Sequence, residues 1–294
     1  MIRLHLISTV DRNYLAPFLV MLVSLREHLR PGCEPVLHLI AKDLTSADWE
    51  TLNSLVEVRP VEVSDATYAQ LPSNQFYPKI VACNLMMGDL FAGQFDRGLF
   101  IDSDMLVRTD IATLFETNLG DAVLAAAIDV PVPVCGSARG VRDPAVPRMA
   151  PYFNAGLMLF DPNRWAATEV FPRSLEYLSK WGAGDFYTQE ALNAVLWDSW
   201  LPLDRRWNDT AGHARLENRH DAHILHFSGY FKPWRMRLSG AQGAEYAHFM
   251  KLTAQRFPEI VMPSAPTTLG SIYDRFLRRL TYSLEYAAWQ RRWI

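Results

Sequence analysis

The chain has 294 residues, 49% hydrophobic and 21% charged, with a net charge of −3. That composition excludes a disordered chain, a collagen and a coiled coil, and the charge argues against a nucleic-acid partner. The length allows a well-buried core in one large domain or two small ones.

Leu4, Leu6 and the residues to Thr9 predict a first strand. Pro17 suits a helix's first turn, and Phe18 to Leu29 reads as helical. Val36 to Ile40 predicts a second strand. Thr45, with Asp48 three residues on, is a capping pattern that opens a helix to about Leu55. Val56 to Val63 predicts a third strand, Lys79 to Phe91 a helix, and Gly98 to Ile101 a short buried strand. Strands alternating with helices imply an α/β fold around a mostly parallel sheet. Ligands of such sheets sit beyond the carboxyl ends of the strands.

The order then changes. Ala122 to Ile128 is strand-like, and Asp129 to Pro151 is irregular, with prolines at 131, 133, 144, 147 and 151. Loops of that length are commonly functional, so a lid or acceptor-binding segment is expected. Asn154 to Asp161 predicts a strand, with Asn163 capping a helix to about Trp181. Thr188 to Trp200 reads as another helix and His223 to Phe227 as a strand.

Cys33, Cys83 and Cys135 are far apart, odd in number and without a CxxC pair. A reducing cytosol is expected, not a disulfide framework or structural zinc. The N-terminus carries no signal-peptide pattern. The apolar run Tyr14 to Leu25 is short for a membrane span and holds Pro17.

Asp102-Ser103-Asp104 follows the apolar run Gly98 to Ile101. With 19 Asp in the chain, about one D-x-D arises by chance. Its place at a strand's carboxyl end suits a ligand site. Paired hard oxygens suit Mn²⁺ or Mg²⁺, and a surface turn is the other reading. His226, leaving a strand before Gly229 and Lys232, reads either as a hydrogen-bonded core histidine or as a metal ligand beside a phosphate-binding cation.

These residues, with Asp11-Arg12-Asn13-Tyr14, Leu99 to Val107, Phe153 to Phe160, Gln189 to Asn193 and His226 to Trp234, carry a resemblance. In order and spacing they resemble glycosyltransferase family 8, which includes bacterial lipopolysaccharide α-galactosyl- and α-glucosyltransferases and glycogenin. The resemblance implies a GT-A fold, a UDP-sugar donor and a divalent ion, typically Mn²⁺. It implies Asp102, Asp104 and His226 as metal ligands. Thr9, Asp11, Asn13, Tyr14, Ser103, Gly229 and Lys232 would bind the nucleotide. Asn84, Asn154, Ala155, Gly156 and Thr188 would lie along the donor sugar, and Asp129 on the acceptor side. Gln189 would lie nearest the reacting carbon, with Glu190 as a minority candidate for a covalent nucleophile. Two positions depart from the family pattern. Asn84 stands where an Arg is usual and Thr188 where an Asp is usual, a change that removes two opposite charges beside the sugar.

The expected activity is retaining transfer of galactose or glucose from a UDP-sugar to a hydroxyl of a glycan or glycolipid acceptor, lipopolysaccharide core above all. A UDP-N-acetylhexosamine donor, or a catalytically silent nucleotide-sugar module, are the alternatives. Residues 1–270 are expected to form the GT-A domain. Residues 271–294 hold five Arg against Asp274 and Glu285, with six aromatics. Ile272, Phe276, Leu280 and Leu284 form one stripe of a helix. Such a tail suits an anionic membrane surface, which would place the protein in the cytoplasm, peripheral to the inner face of the plasma membrane.

Overall fold

The computed structural model describes residues 2–73, 78–182, 184, 186–210, 220–229, 232–235 and 241–263. The expected tail, 271–294, lies outside the described residues. The chain divides into two compact units, each gathered from separated stretches. The first takes residues 1–12, 30–102 and 112–204, the second 13–29, 103–111 and the chain from 205 onward.

The first unit is built on the strands β1 (Ile2–Asp11), β2 (Cys33–Lys42), β3 (Glu57–Pro60), β4 (Gly98–Ile101), β6 (Leu124–Ile128), β7 (Phe153–Phe160) and β8 (Trp200–Leu203). They form one sheet in the order β3-β2-β1-β4-β7-β6-β8. The run from β3 to β4 is parallel, β7 is antiparallel to both neighbours, and β8 is parallel to β6. The mostly parallel α/β expectation therefore holds. β2 leaves β1 on one side and β4 joins on the other, so the strand order reverses between β1 and β4. Ligands of open α/β sheets bind at that reversal. Gly98 opens β4 because nothing larger fits. A Cβ there would lie 2.8 Å from both Ile7 and Phe160.

Four local readings differ from expectation. β3 stops at Pro60, which has no N–H to continue a ladder. Lys79 to Phe91 divides into a 3-10 helix, Lys79–Met86, and an α-turn, Met87–Phe91. The helix expected after Asn163 starts two residues earlier. Asp161 caps it through bonds from the backbone N–H groups of Asn163 (2.9 Å) and Arg164 (3.1 Å), with Pro162 in the first turn. It breaks at Glu169 (φ 54°) and resumes as Val170–Trp181. The helix expected over Thr188 to Trp200 is Tyr187–Val195, and Trp200 begins β8. The capping box at Thr45 and Asp48 is present as read, opening the helix Ser46–Asn53.

The proline-rich stretch from Asp129 is folded on itself. Cys135 N–H donates to Ala150 (2.8 Å), Gly136 to Arg148 (2.7 Å) and Val141 to Cys135 (2.8 Å). Val132, Cys135, Val146, Ala150 and Tyr152 form a separate apolar cluster. The segment thus carries a small core of its own.

The second unit holds the helix α1 (Leu15–His28), the strands β5 (Met105–Val107), β9 (Asp209–Thr210) and β10 (Ile224–His226), and the helix Ala241–Arg256. The strands pair in the order β5-β10-β9. Leu15 to Leu25 of α1 are all buried, which accounts for the apolar run: a helix apolar all round is a core helix. Ser24 secures it, accepting from Val107 N–H (3.0 Å) and donating to the Met21 carbonyl (2.7 Å). Among the described residues no helix is long and apolar enough to cross a membrane.

Candidate active site

In the first unit, Thr9 and Asp11 lie at the carboxyl end of β1, and Asp102 follows directly on β4. Asp102 N–H donates to the Gly156 carbonyl at 2.9 Å, which joins the end of β4 to the small-residue strip of β7. The strip is then wired outward. Gly156 N–H donates to Asn154 Oδ1 (3.0 Å), Asn154 Nδ2 to Asp129 Oδ1 (2.9 Å), and Ala155 N–H to Gln189 Oε1 (3.0 Å). Asp129 also accepts from Val132 N–H (3.1 Å). Asn193 locks the Gln189 helix to β7, accepting from Phe153 N–H (2.7 Å) and donating to its carbonyl (2.9 Å). Asp102, Asp129, Asn154, Ala155, Gly156 and Gln189, read from distant motifs, thus share one bonded network.

The two departing positions meet. Asn84 Nδ2 stands 3.5 Å from Thr188 Oγ1, both side chains are buried, and Asn84 Oδ1 has no hydrogen-bond partner among the described residues. Glu190 faces elsewhere. Arg142 grips its carboxylate with both arms, Nε to Oε1 at 2.7 Å and Nη2 to Oε2 at 3.1 Å, and Tyr177 donates to Oε1.

In the second unit, β5 pairs antiparallel with β10 so that Met105 lies opposite His226. Phe227 N–H donates to the Asp104 carbonyl (2.9 Å). This register sets His226 Nε2 3.3 Å from Asp104 Oδ1. Asp102 lies two residues before Asp104, and the ligand atoms of Asp102, Asp104 and His226 all fall within 4.8 Å of one another. Lys232, also buried, donates to Asp104 Oδ2 and to the Phe227 carbonyl (2.8 Å). Burial alone would raise the Asp104 carboxyl, but Lys232 and His226 beside it outweigh burial and hold it well below the usual carboxylate range. Gly229 turns the chain between them with φ 72°, a conformation open to glycine at little cost. Tyr14 packs edge-on against Trp234 (5.8 Å), which lies against Tyr246 (5.9 Å).

The donor set fits a divalent ion. His226 Nδ1 is 2.8 Å from Asn208 Oδ1, which leaves Nε2, on the Asp104 side, as the nitrogen that would meet a bound cation. Two carboxylates and an imidazole suit Mn²⁺ or Mg²⁺. The sequence reading missed Asn208, Arg142 and Tyr177. None lies in a quoted motif, and each reaches the site only through tertiary folding.

Residues 5–237 match the family Glycosyl transferase family 8. General stress protein A of Bacillus subtilis is 26% identical over 273 residues, 85% of this chain and 94% of that protein. Lipopolysaccharide 1,2-glucosyltransferase of Escherichia coli is 27% identical over 177 residues, 56% of this chain and 52% of that enzyme. Among solved structures, galactosyltransferase LgtC in complex with donor and acceptor sugar analogues has a TM-score of 0.71 at 22% identity, covering 90% of this chain and 98% of that one. The bifunctional glycosyltransferase WbbM has a TM-score of 0.69 at 18% identity, covering 86% and 51%. These likenesses show the GT-A fold, and the family match spans most of the sequence: the chain belongs to glycosyltransferase family 8.

Proposed function

We propose that the protein is a metal-dependent, retaining hexosyltransferase. It transfers galactose or glucose from a UDP-sugar to a hydroxyl of a glycan acceptor, with lipopolysaccharide core as the acceptor class. The observation that carries this reading is the Asp102, Asp104 and His226 cluster with Lys232 on the Asp104 carboxylate. LgtC with donor and acceptor analogues, and the lipopolysaccharide glucosyltransferase among the relatives, support the substrate classes.

In this reading, Asp102, Asp104 and His226 would hold Mn²⁺ or Mg²⁺, which when bound neutralises the charge that develops on a diphosphate leaving group. Lys232 adds a fixed cation and the backbone at Gly229 a close approach to the phosphates. Removing one such preorganised group costs about 3–4 kcal/mol of barrier. Tyr14 and Asp11 bind the uracil, one through its ring face and one as an acceptor. Asn13, Thr9 and Ser103 complete the nucleotide site. Asn154, Ala155 and Gly156 floor the donor sugar, with Asn84 and Thr188 at its hydroxyls and Asp129 toward the acceptor.

Among the described residues Gln189 Oε1 accepts one bond, from Ala155 N–H. An amide oxygen has two lone pairs, so one remains to face an oxocarbenium-like carbon. An amide is a poor nucleophile, and both Glu190 oxygens are engaged by Arg142. Attack by the acceptor hydroxyl on the face that UDP leaves is therefore preferred to a covalent intermediate. The neutral Asn84 Oδ1, unpaired among the described residues, favours one second reading, a UDP-sugar of different hydroxyl pattern such as a UDP-N-acetylhexosamine.

The test is UDP release from a panel of UDP-sugars with Mn²⁺ and no acceptor. Slow hydrolysis of UDP-galactose or UDP-glucose supports the reading, and turnover of the N-acetylhexosamine donor alone supports the second. Binding without turnover of any donor makes the protein a binding module. Residues 1–270 form the catalytic domain in this proposal, and 271–294 attach it to the inner face of the plasma membrane. Truncation after Gly270 should abolish binding to anionic vesicles while activity on a soluble acceptor persists. Vesicle binding that survives truncation rejects the anchor.

A further inference from the structure

We infer that Arg142 is a positioning residue for Gln189, and that the proline-rich segment carrying it serves as a rigid buttress for the start of the Gln189 helix. The role assigned to Gln189 rests on the transferase reading above; the buttress itself rests on geometry alone.

Arg142 commits its guanidinium to three places. Nε and Nη2 fork onto Glu190, Nη2 also donates to the Gly182 carbonyl (2.7 Å), and Nη1 donates to the Trp181 carbonyl. Trp181 and Gly182 end the preceding helix, where exposed carbonyls and the helix dipole favour a cation. The backbone N–H of Arg142 donates to Tyr177 Oη (3.0 Å), whose own hydroxyl turns to Glu190. One side chain thus joins the loop, the end of one helix and the start of the next. Arg139 adds a second tie, its guanidinium 5.5 Å from the ring centre of Phe186, immediately before the Gln189 helix.

Gly184 lies tight against the pair: a Cβ there would lie 2.5 Å from Glu190 Oε2 and 3.3 Å from Arg142 Nη2. Glu190 is nine-tenths or more buried, and a carboxylate in that setting is retained only when paired. It adjoins Gln189 in the helix, so a turn of the helix start that follows a released Glu190 also carries the Gln189 amide away from Ala155. A planar bidentate fork fixes that angle in a way that a lysine point charge does not. Small misplacements at a reacting centre cost rate out of proportion to their size.

Steady-state kinetics and amide hydrogen exchange on the full chain test this, with Arg142→Met, Arg142→Lys and Arg142→Ala beside the wild type. We expect kcat for Arg142→Met to fall 10- to 100-fold with the donor KM changed less than threefold. Arg142→Lys should recover little of that loss, and millimolar guanidinium should restore Arg142→Ala at least fivefold. Amides of residues 189–193 should exchange faster in Arg142→Met. Glu190→Gln, which keeps the shape without the charge, serves if the arginine variants fail to fold, and should lower kcat about tenfold. A kcat within twofold of wild type, or a rise in KM at constant kcat, overturns the positioning role. If the wild type turns over no donor, the transferase reading fails. Exchange then decides the buttress alone, and unchanged protection of 189–193 overturns it.

Discussion

His226 Nδ1 lies 2.8 Å from Asn208 Oδ1, and this bond helps to hold the ring with Nε2 toward Asp104. Without it the ring is held less firmly, and a ligand that must be ordered on binding binds less tightly. Substitution of groups that orient metal-bound histidines typically lowers affinity 10–100-fold. Asn208→Ala should therefore weaken Mn²⁺ binding by that factor in a calorimetric titration while Asp102 and Asp104 stay in place. Equal affinity in variant and wild type would show that His226 needs no partner.

The three candidate ligands should act as a unit. Asp102→Asn, Asp104→Asn and His226→Ala are each expected to lower turnover at least about 10²-fold, and excess EDTA should abolish it. Full activity in EDTA would remove the metal from the reaction.

Asn84 and Thr188 touch at 3.5 Å inside the protein. Asn84→Arg alone should harm activity, because it buries a charge without a partner at a cost of several kcal/mol. Adding Thr188→Asp supplies the partner, so the double variant should regain part of the loss and shift preference toward UDP-galactose. The readout is kcat/KM on each donor. A double variant no better than the single on every donor means that the contact does not read the sugar.

A pH effect is expected away from the site. His5 Nδ1 and His38 Nε2 are 2.9 Å apart and share a single proton. Burial, then the neighbouring His5, lowers His38 to about 4, and burial with Arg59 lowers His5. An unfolded histidine protonates near 6.5. Between pH 6.5 and about 4 the unfolded chain takes up protons that the folded chain refuses, so stability falls as pH drops through that window. The loss is on the order of 2 kcal/mol after solvent screening. Urea midpoints measured at pH 7, 5.5 and 4.5 should decline more steeply for the wild type than for His38→Gln. Parallel slopes for the two proteins would clear the histidine pair of responsibility.

What could be read from the sequence was what is local. β4 was bounded correctly because four apolar residues stand between polar neighbours, and Thr45 with Asp48 makes both bonds of its box within four residues. Glu169 breaks a helix at φ 54° without glycine or proline to announce it. Asp161-Pro162, two residues before Asn163, is the stronger cap signal, an acceptor followed by a residue suited to the first turn. Asp102 and Asp104 were legible as a metal pair from their place after β4, with a surface turn as the rival reading, and the family resemblance is what joined His226 to them. Asn208 and Arg142 carried no signal at all. Their partners lie 18 and 48 positions away, and only the β9–β10 pairing and the folded loop bring them together.

The interleaving of the two units bears on how the protein is made. The chain passes from one unit to the other after residues 12, 29, 102, 111 and 204. No single cut releases either unit as a continuous fragment, so neither can be exchanged between relatives as a cassette. During synthesis Asp104 emerges about 120 residues before His226, and β5 has no strand partner until β10 follows. A growing chain therefore carries both carboxylates long before the imidazole and Lys232 that complete their surroundings.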